Sequence, residues 1–232
     1  MSSALAAPAA LPPDGQVHAA VADGVATVRF GHPKGNSLPG SLLRELARTV
    51  AELGQDDAAR VIVLRSEGGG AFCAGASFAE LTSIADAARG KEFFMGFARL
   101  ILAMRSAPKF VLARVHGRAV GGGVGVVAAS DYALAHVDAS VKLSELAVGI
   151  GPFVVGPVIE RKVGLGGLQA LAVDALAARL AASNPAAMAL MKRTFWEGTE
   201  HWDALLERRA EMSGTLVLSD FTRRAIASFG AR

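Results

Sequence analysis

The chain has 232 residues, 52% of them hydrophobic and 19% charged, with a formal net charge of +3. That composition supports a sizeable buried core and excludes an intrinsically disordered chain. The 24 basic and 21 acidic residues lie scattered, without the Lys/Arg run of a nucleic-acid-binding tail, and the single Cys73 excludes an internal disulfide framework and suits a reducing compartment.

Residues 1–15 read as a mobile tail. MSSALAAPAALPP lacks the positive segment of a targeting peptide, and Pro8, Pro12 and Pro13 interrupt any apolar core. No apolar run is long enough for a transmembrane helix, which predicts a cytoplasmic protein with no membrane partner. Residues 17–21 and 25–30, β-branched on both sides of Ala22-Asp23-Gly24, predict a hairpin. Gly31-His32-Pro33-Lys34-Gly35-Asn36 is a turn cluster that ends the second strand. Leu42, Leu43, Leu46, Val50 and Leu53 recur at helical spacing, and VIVL at 61–64 reads as a buried strand entering Glu67-Gly68-Gly69-Gly70.

AFCAGASFAEL at 71–81 is a glycine-containing turn leading into a long helical region, with a break expected near Gly90, that ends at Met104. Residues 110–115 predict a strand feeding straight into HGRAVGGGVGVVAASD at 116–131. Strand, glycine turn and helix in that order bring bare backbone N–H groups up to a ligand, because glycine permits close approach and the first N–H groups of a helix lack intrahelical partners. Two short strands at 132–135 and 140–143 follow, then SELAVGIGP. One or two apolar helices around Gly164, Gly166 and Gly167 occupy 153–171, and helical sequence continues to the C-terminus with Pro185 placed to start a helix. Alternation followed by an all-helical last third predicts an α/β core whose helical tail packs on itself or on a neighbouring subunit.

Two chemistries suit the glycine turn. A nucleotide-phosphate loop is disfavoured, since Gly122 and Gly123 precede Val124 rather than Lys-Ser/Thr, and a G-x-G-x-x-G pattern from Gly121 fails at Val126. An oxyanion hole needs two N–H groups from separate turns converging on one carbonyl oxygen, and the turns around Gly75-Ala76 and Gly122 provide two. Close helix packing explains the glycines equally well on content alone. No His/Cys/Asp cluster has metal-ligand spacing, so no metal is expected.

AFCAGASFAEL, HGRAVGGGVGVVAASDYALA and VKLSELAVGIGP resemble, in order and spacing, the three signature blocks of the enoyl-CoA hydratase/isomerase (crotonase) family. The resemblance covers residues 17–172. It implies a crotonase-like (ClpP/crotonase) α/β fold, with a repeated ββα core over 16–172 and a helical C-terminal region, 173–232, that makes homotrimers or hexamers. It implies an acyl-CoA thioester as substrate, coenzyme A entering as part of that substrate with no separate cofactor, and an enolate held by two backbone N–H groups. By position these are Ala76, after Ala74 and Gly75, and Gly122, with Gly121 and Gly123 giving it room; Ala74, Gly75, Gly121 and Gly123 thereby belong to the substrate-binding segments. HPKGNSL resembles the family's first CoA-contacting segment, which makes Lys34 a candidate for a CoA phosphate.

Family hydratases carry two glutamates. One position is Gly125 here, and the other is Glu145. A lone glutamate facing an apolar thioester pocket has its pKa raised by desolvation and can carry a proton in both directions. SELAVGIGPFVVGPVIERKVG resembles a branch of hydratases that includes methylglutaconyl-CoA hydratase-like proteins, so the leading expectation is enoyl-CoA hydration in fatty acid metabolism with Glu145 as acid/base. Enoyl-CoA isomerisation, decarboxylation or another lyase reaction use the same enolate hole. A non-catalytic CoA- or RNA-binding homologue is the different class, and RNA binding would want a Lys/Arg-lined helix that this chain lacks. Ser77 stands where family members often have aspartate, Glu80 is expected to face solvent, and His116 reads as a satisfied structural histidine. A further segment that the resemblance leads one to expect between Leu171 and Ala177 has no counterpart here.

Overall fold

A computed structural model describes residues 10–145, 150–172, 184–195, 197–198 and 207–208. The chain divides into two compact units, residues 1–188 and 189–232; the elements below lie within the first, apart from the last described helix, whose residues run across the boundary. Strands β1 (Gln16–Ala22) and β2 (Val25–Gly31) form the expected hairpin, joined by a turn in which Asp23 (φ 51°) and Gly24 (φ 81°) are both left-handed. That is the geometry whose twist matches a two-residue hairpin. Helix α1 (Gly40–Gln55), β3 (Val61–Ser66), α2 (Phe78–Thr82), α3 (Ala87–Ser106) and β4 (Phe110–Val115) follow. Then come β5 (Ala119–Val120), α4 (Gly122–Ala129), β6 (Tyr132–Ala135), β7 (Val141–Lys142), α5 (Gly156–Ala172) and the last described helix, α6 (Pro185–Phe195).

The sheet runs β1-β2-β3-β4-β6, with β1 antiparallel to β2 and every other pair parallel. Parallel neighbours need crossovers, and α1 and α3 supply two of them. Alternate residues of the strands, among them Val28, Phe30, Ile62, Leu64, Val111 and Ala113, are buried against Leu42, Leu46 and Val50 of α1 and Phe97, Leu100 and Met104 of α3. Phe30 meets Phe72 edge to face at 5.5 Å between ring centroids, tying the β2 end to the loop after β3.

The helix ends show where side chains replace missing backbone partners. Pro39 offers α1 no side-chain cap, and Glu80 Oε2 accepts from Gly40 N at 2.9 Å instead. Glu80 is therefore a half-buried tie between α2 and α1 rather than a solvent-facing residue. Lys109 Nζ donates to the carbonyls of Leu53 and Asp56 at the other end of α1. The expected break at Gly90 is displaced: α3 runs through Gly90, and the interruption is at 83–86, where Asp86 Oδ1 accepts from Arg89 N at 2.8 Å. An N-cap at Asp86 sets the boundary, and one glycine in the first turn does not break the helix. α5 is kinked at Gly164 (φ 75°), in keeping with two helices meeting there. Asn184 Oδ1 accepts from Ala186 N at 2.9 Å beside Pro185 at the start of α6.

Most of the expected helical C-terminal region, and with it the expected trimer-forming surface and the junction after Leu171, lies outside the described residues, as do residues 1–9 of the tail. Among the described residues, no helix is long and apolar enough to cross a membrane.

The turn after β2 is held by one buried side chain. Asn36 (φ 57°) accepts from His32 N at 2.8 Å through Oδ1, and its Nδ2 donates to Glu67 O at 2.9 Å and Ala71 O at 2.8 Å. Asn36→Ala leaves three backbone groups without this partner and keeps a left-handed residue without a polar side chain. We expect a loss of about 3 kcal/mol or more in urea unfolding. A loss below about 1 kcal/mol would show that water replaces the amide.

Candidate active site

The parallel strands β2, β3, β4 and β6 all end on one side of the sheet, where open α/β sheets bind ligands. Four chain segments meet there and are stitched in register. Leu38 N donates to Gly75 O at 2.8 Å and Ser77 N to Leu38 O at 3.1 Å. Cys73 N donates to Arg118 O at 3.2 Å, and Val120 N returns to Cys73 O at 2.9 Å. Ala119 N donates to Ser140 O at 2.8 Å and Gly121 N to Lys142 O at 2.9 Å. The order across the site is thus the turn after β2, the Cys73–Ser77 turn, the glycine turn, then β7 leading to Glu145.

This pairing pattern leaves two donors out. Ala76 sits opposite Leu38 in a parallel bridge that uses the groups of its neighbours, and Ala76 O accepts from Ser37 Oγ at 2.9 Å. Gly122 is the first residue of α4, so its N–H has no acceptor one turn back. Among the described residues neither the Ala76 nor the Gly122 N–H donates a hydrogen bond. Their turns abut: a Cβ built on Gly75 would lie 3.1 Å from Val120 O and 3.9 Å from Gly122 N. Gly75 (φ 93°) and Gly121 (φ 53°) both need the left-handed conformation that shapes these turns.

The glycines of α4 are also fixed by their neighbours. A Cβ on Gly122 would meet the Phe97 ring at 2.4 Å, and one on Gly123 would meet Cys73 O at 2.7 Å and its Cβ at 2.8 Å. Cys73 is fully buried, and burial pushes its thiol up to about 12, so it is inert packing. Gly123 belongs to that packing contact.

Glu145 stands immediately beyond β7, beside the glycine turn: a Cβ on Gly121 would lie 3.5 Å from Glu145 Oε1. Its Oε2 is buried without a hydrogen-bond partner. Burial raises its pKa above the usual carboxyl value, against a smaller opposing effect of the backbone N–H groups of Glu145 and Ser144. Gly125, the position of a second glutamate in the hydratases that the sequence resembles, has no room for one: a Cβ there would lie 2.4 Å from Val155 Cγ1 and 3.3 Å from Ile101 Cδ1.

Lys34 is exposed, on a turn that touches the second block: a Cβ on Gly35 would lie 3.8 Å from Ala74 Cβ. Ser77, at the place of a family aspartate, caps α2 by accepting from Glu80 N at 3.3 Å. His116 is only in part the satisfied histidine that the sequence suggested: the Gly70 backbone acts on its ring, but its Nε2 is buried without a partner. Among the described residues, no group of three or more His, Cys, Asp or Glu side chains could hold a metal ion. Sequence reasoning missed Asn36, Phe97, Ile101 and Val155. Asn36 carried a signal as a turn-forming residue after glycine, but the other three act only through tertiary contact.

The family model for enoyl-CoA hydratase/isomerase matches residues 20–212. The chain belongs to this family. The enoyl-CoA hydratase/isomerase chain is 33% identical over 132 residues to a protein named probable enoyl-CoA hydratase from Bacillus subtilis, a match covering 55% of this chain and 49% of the relative. It is 34% identical over 132 residues to (7aS)-7a-methyl-1,5-dioxo-2,3,5,6,7,7a-hexahydro-1H-indene-carboxyl-CoA hydrolase from Mycobacterium tuberculosis, covering 54% and 51%. The chain thus spans about half the length of the curated relatives it matches. A Legionella pneumophila structure described as an enoyl-CoA hydratase/isomerase (crotonase) superposes with a TM-score of 0.66 at 23% identity, covering 93% of this chain and 96% of that one. The fold is crotonase-like.

Two outcomes check this geometry. Gly122→Ala should destabilise by about 1–3 kcal/mol through overpacking, and by less in a Phe97→Ala background, because the clash is with that ring; additive losses in the four-protein cycle would refute the contact. The raised Glu145 pKa has a definite sign. The unfolded chain loses this proton near 4.5 while the folded chain retains it, so the associated stability is full below 4.5 and falls as pH rises through the folded value. Glu145→Gln should remove that fall, so urea stability of the variant gains on wild type between 4.5 and neutrality. Parallel pH profiles would contradict it.

Proposed function

We propose that the chain is an acyl-CoA enzyme that hydrates an enoyl-CoA through an enolate, with Glu145 as its single acid/base. The observation that carries this reading is the pair of undonated N–H groups, Ala76 and Gly122, on abutting turns beside a buried carboxyl. Two fixed donors aimed at a thioester oxygen stabilise it as it gains charge, each by about a hundred- to thousand-fold in rate. Glu145 has two oxygens to use. One accepts a proton from water as the water oxygen bonds to the β-carbon, and the carboxyl then delivers a proton to the α-carbon as the enolate collapses, which adds one water in total. Coenzyme A enters as part of the substrate, with no separate cofactor in this reading, and exposed Lys34, on the turn beside Ala74, is its candidate partner for the phosphates. The name of the Bacillus subtilis relative supports hydration.

One feature favours a second reaction. Val155 and Ile101 fill the place of a second carboxylate, and a bound water wants two or more polar partners. A single Glu145 carboxyl, with no second carboxylate at position 125, is suited to moving one proton from the α- to the γ-carbon side of a 3-enoyl-CoA, as an isomerase does.

Crotonyl-CoA and a 3-enoyl-CoA, followed through the absorbance of the conjugated enoyl thioester, separate the two. Loss of the band from crotonyl-CoA is hydration, its appearance from the 3-enoyl substrate is isomerisation, and no change with either ends both readings. Glu145→Gln should abolish turnover with acyl-CoA binding retained. Gly125→Glu should be tolerated only with Val155→Ala, and that pair should raise hydration relative to isomerisation.

A further inference from the structure

The face of the sheet away from α1 and α3 carries a row of basic residues, three of them arginines, that the reaction above does not use. The register places His18 opposite Arg29, Arg29 opposite Arg65, and Arg65 opposite Arg114, one residue from each of four adjacent strands. Adjacent strands are about 4.8 Å apart, so three guanidinium groups spring from a row about 10 Å long. Like charges directly opposite one another on a sheet are destabilising unless something neutralises them.

Little in the described residues does so. Among the residues lining the cleft over this row, Glu67 is the one carboxylate; its Oε1 lies 3.9 Å from Arg29 Nε, and its Oε2 accepts from Gln16 Nε2 at 2.7 Å. Arg65 Nε and His116 Nε2 are buried and have no hydrogen-bond partner. His116 follows β4 on the same face as Arg114, and burial first, then Arg114 and Arg65, hold its pKa below the usual histidine value. The cleft has a volume of about 740 Å³. It combines space, an excess of positive charge and polar atoms without partners.

We propose that this cleft binds a phosphate-class oxyanion, seated on Arg65 and Arg114 with Arg29 and His116 at its margins. Guanidinium groups present planar forks that match phosphate oxygens two at a time, and a diphosphate suits their spacing. The site lies on the opposite face of the sheet from the packed helices, and Ala76, Gly122 and Glu145 are not among its lining residues.

Calorimetric titration of the full chain with inorganic pyrophosphate, and separately with orthophosphate, tests this in chloride buffer at matched ionic strength. Saturable binding of pyrophosphate is expected, weakened at least about tenfold by Arg65→Met, the equivalent of one charge-assisted hydrogen bond. Arg114→Met, at an exposed position, should weaken it too and stands in if Arg65→Met fails to fold. Glu67→Gln removes the competing carboxylate and should tighten binding. No saturable binding by wild type, or unchanged binding in a folded arginine variant, overturns the proposal. Repeating the titration with coenzyme A present distinguishes a free phosphate compound from the phosphates of CoA: undiminished pyrophosphate binding supports a separate site, and displacement overturns it. Enoyl-CoA turnover should be unchanged in Arg65→Met, so failure here is distinct from failure of the hydration reading.

Discussion

Gly122, Gly123 and Gly125 in the first turn of α4 have no room for side chains, and the rest of the site depends on that. Phe97 presses on Gly122, Cys73 on Gly123 and Val155 on Gly125, so three neighbours from three different segments close around bare backbone. Hydrophobic packing, rather than any polar interaction, sets where the helix begins and which way its leading N–H points. The cross-segment hydrogen bonds from Cys73 N to Arg118 O, from Val120 N to Cys73 O and from Gly121 N to Lys142 O then fix the adjacent turns to it in register. A donor left over by such a ladder is rigid without any partner of its own, which is the state an oxyanion site requires.

The same packing explains why Glu145 is alone. Val155 is separated from Gly125 by the whole of β6 and β7, yet its side chain occupies the volume that a carboxylate at 125 would need. Losing the second acid is therefore coupled to gaining an apolar wall. A polar side chain restored at 125 would be buried against valine and isoleucine with nothing to hydrogen-bond, and an unpaired buried carboxylate is costly. The two positions have to change together.

Much of this was legible in the sequence because it is local. The hairpin at Asp23-Gly24, the apolar stripe of α1 and the strand–glycine–helix order around Gly122 are all set by residues within a few positions of one another. What was not legible is where long-range contacts override a local signal. Gly90 is a weak helix former, but the Asp86 cap starts α3 before it. Glu80 stands on a short helix with every local reason to face water, and it turns inward because Pro39 leaves Gly40 N without a cap. His116 precedes a turn, which locally suggests a structural role; only the folded chain brings it to line one cleft with three arginines.

That register places two unlike environments on either side of one loop. Residues 67–71 give their carbonyls at Glu67 and Ala71 to Asn36, which holds the turn bearing Lys34, while the Glu67 side chain points to Gln16 and Arg29 over the cationic row. Main chain serves one side and side chain the other. A substitution at Glu67 changes the charge facing the arginines but keeps the carbonyl that Asn36 binds, whereas a substitution at Asn36 releases the loop from the site side and leaves the charge in place. The two functions can therefore be separated by mutation even though they share the same five residues, because backbone hydrogen bonds depend on the path of the chain and the cleft depends on what the chain carries.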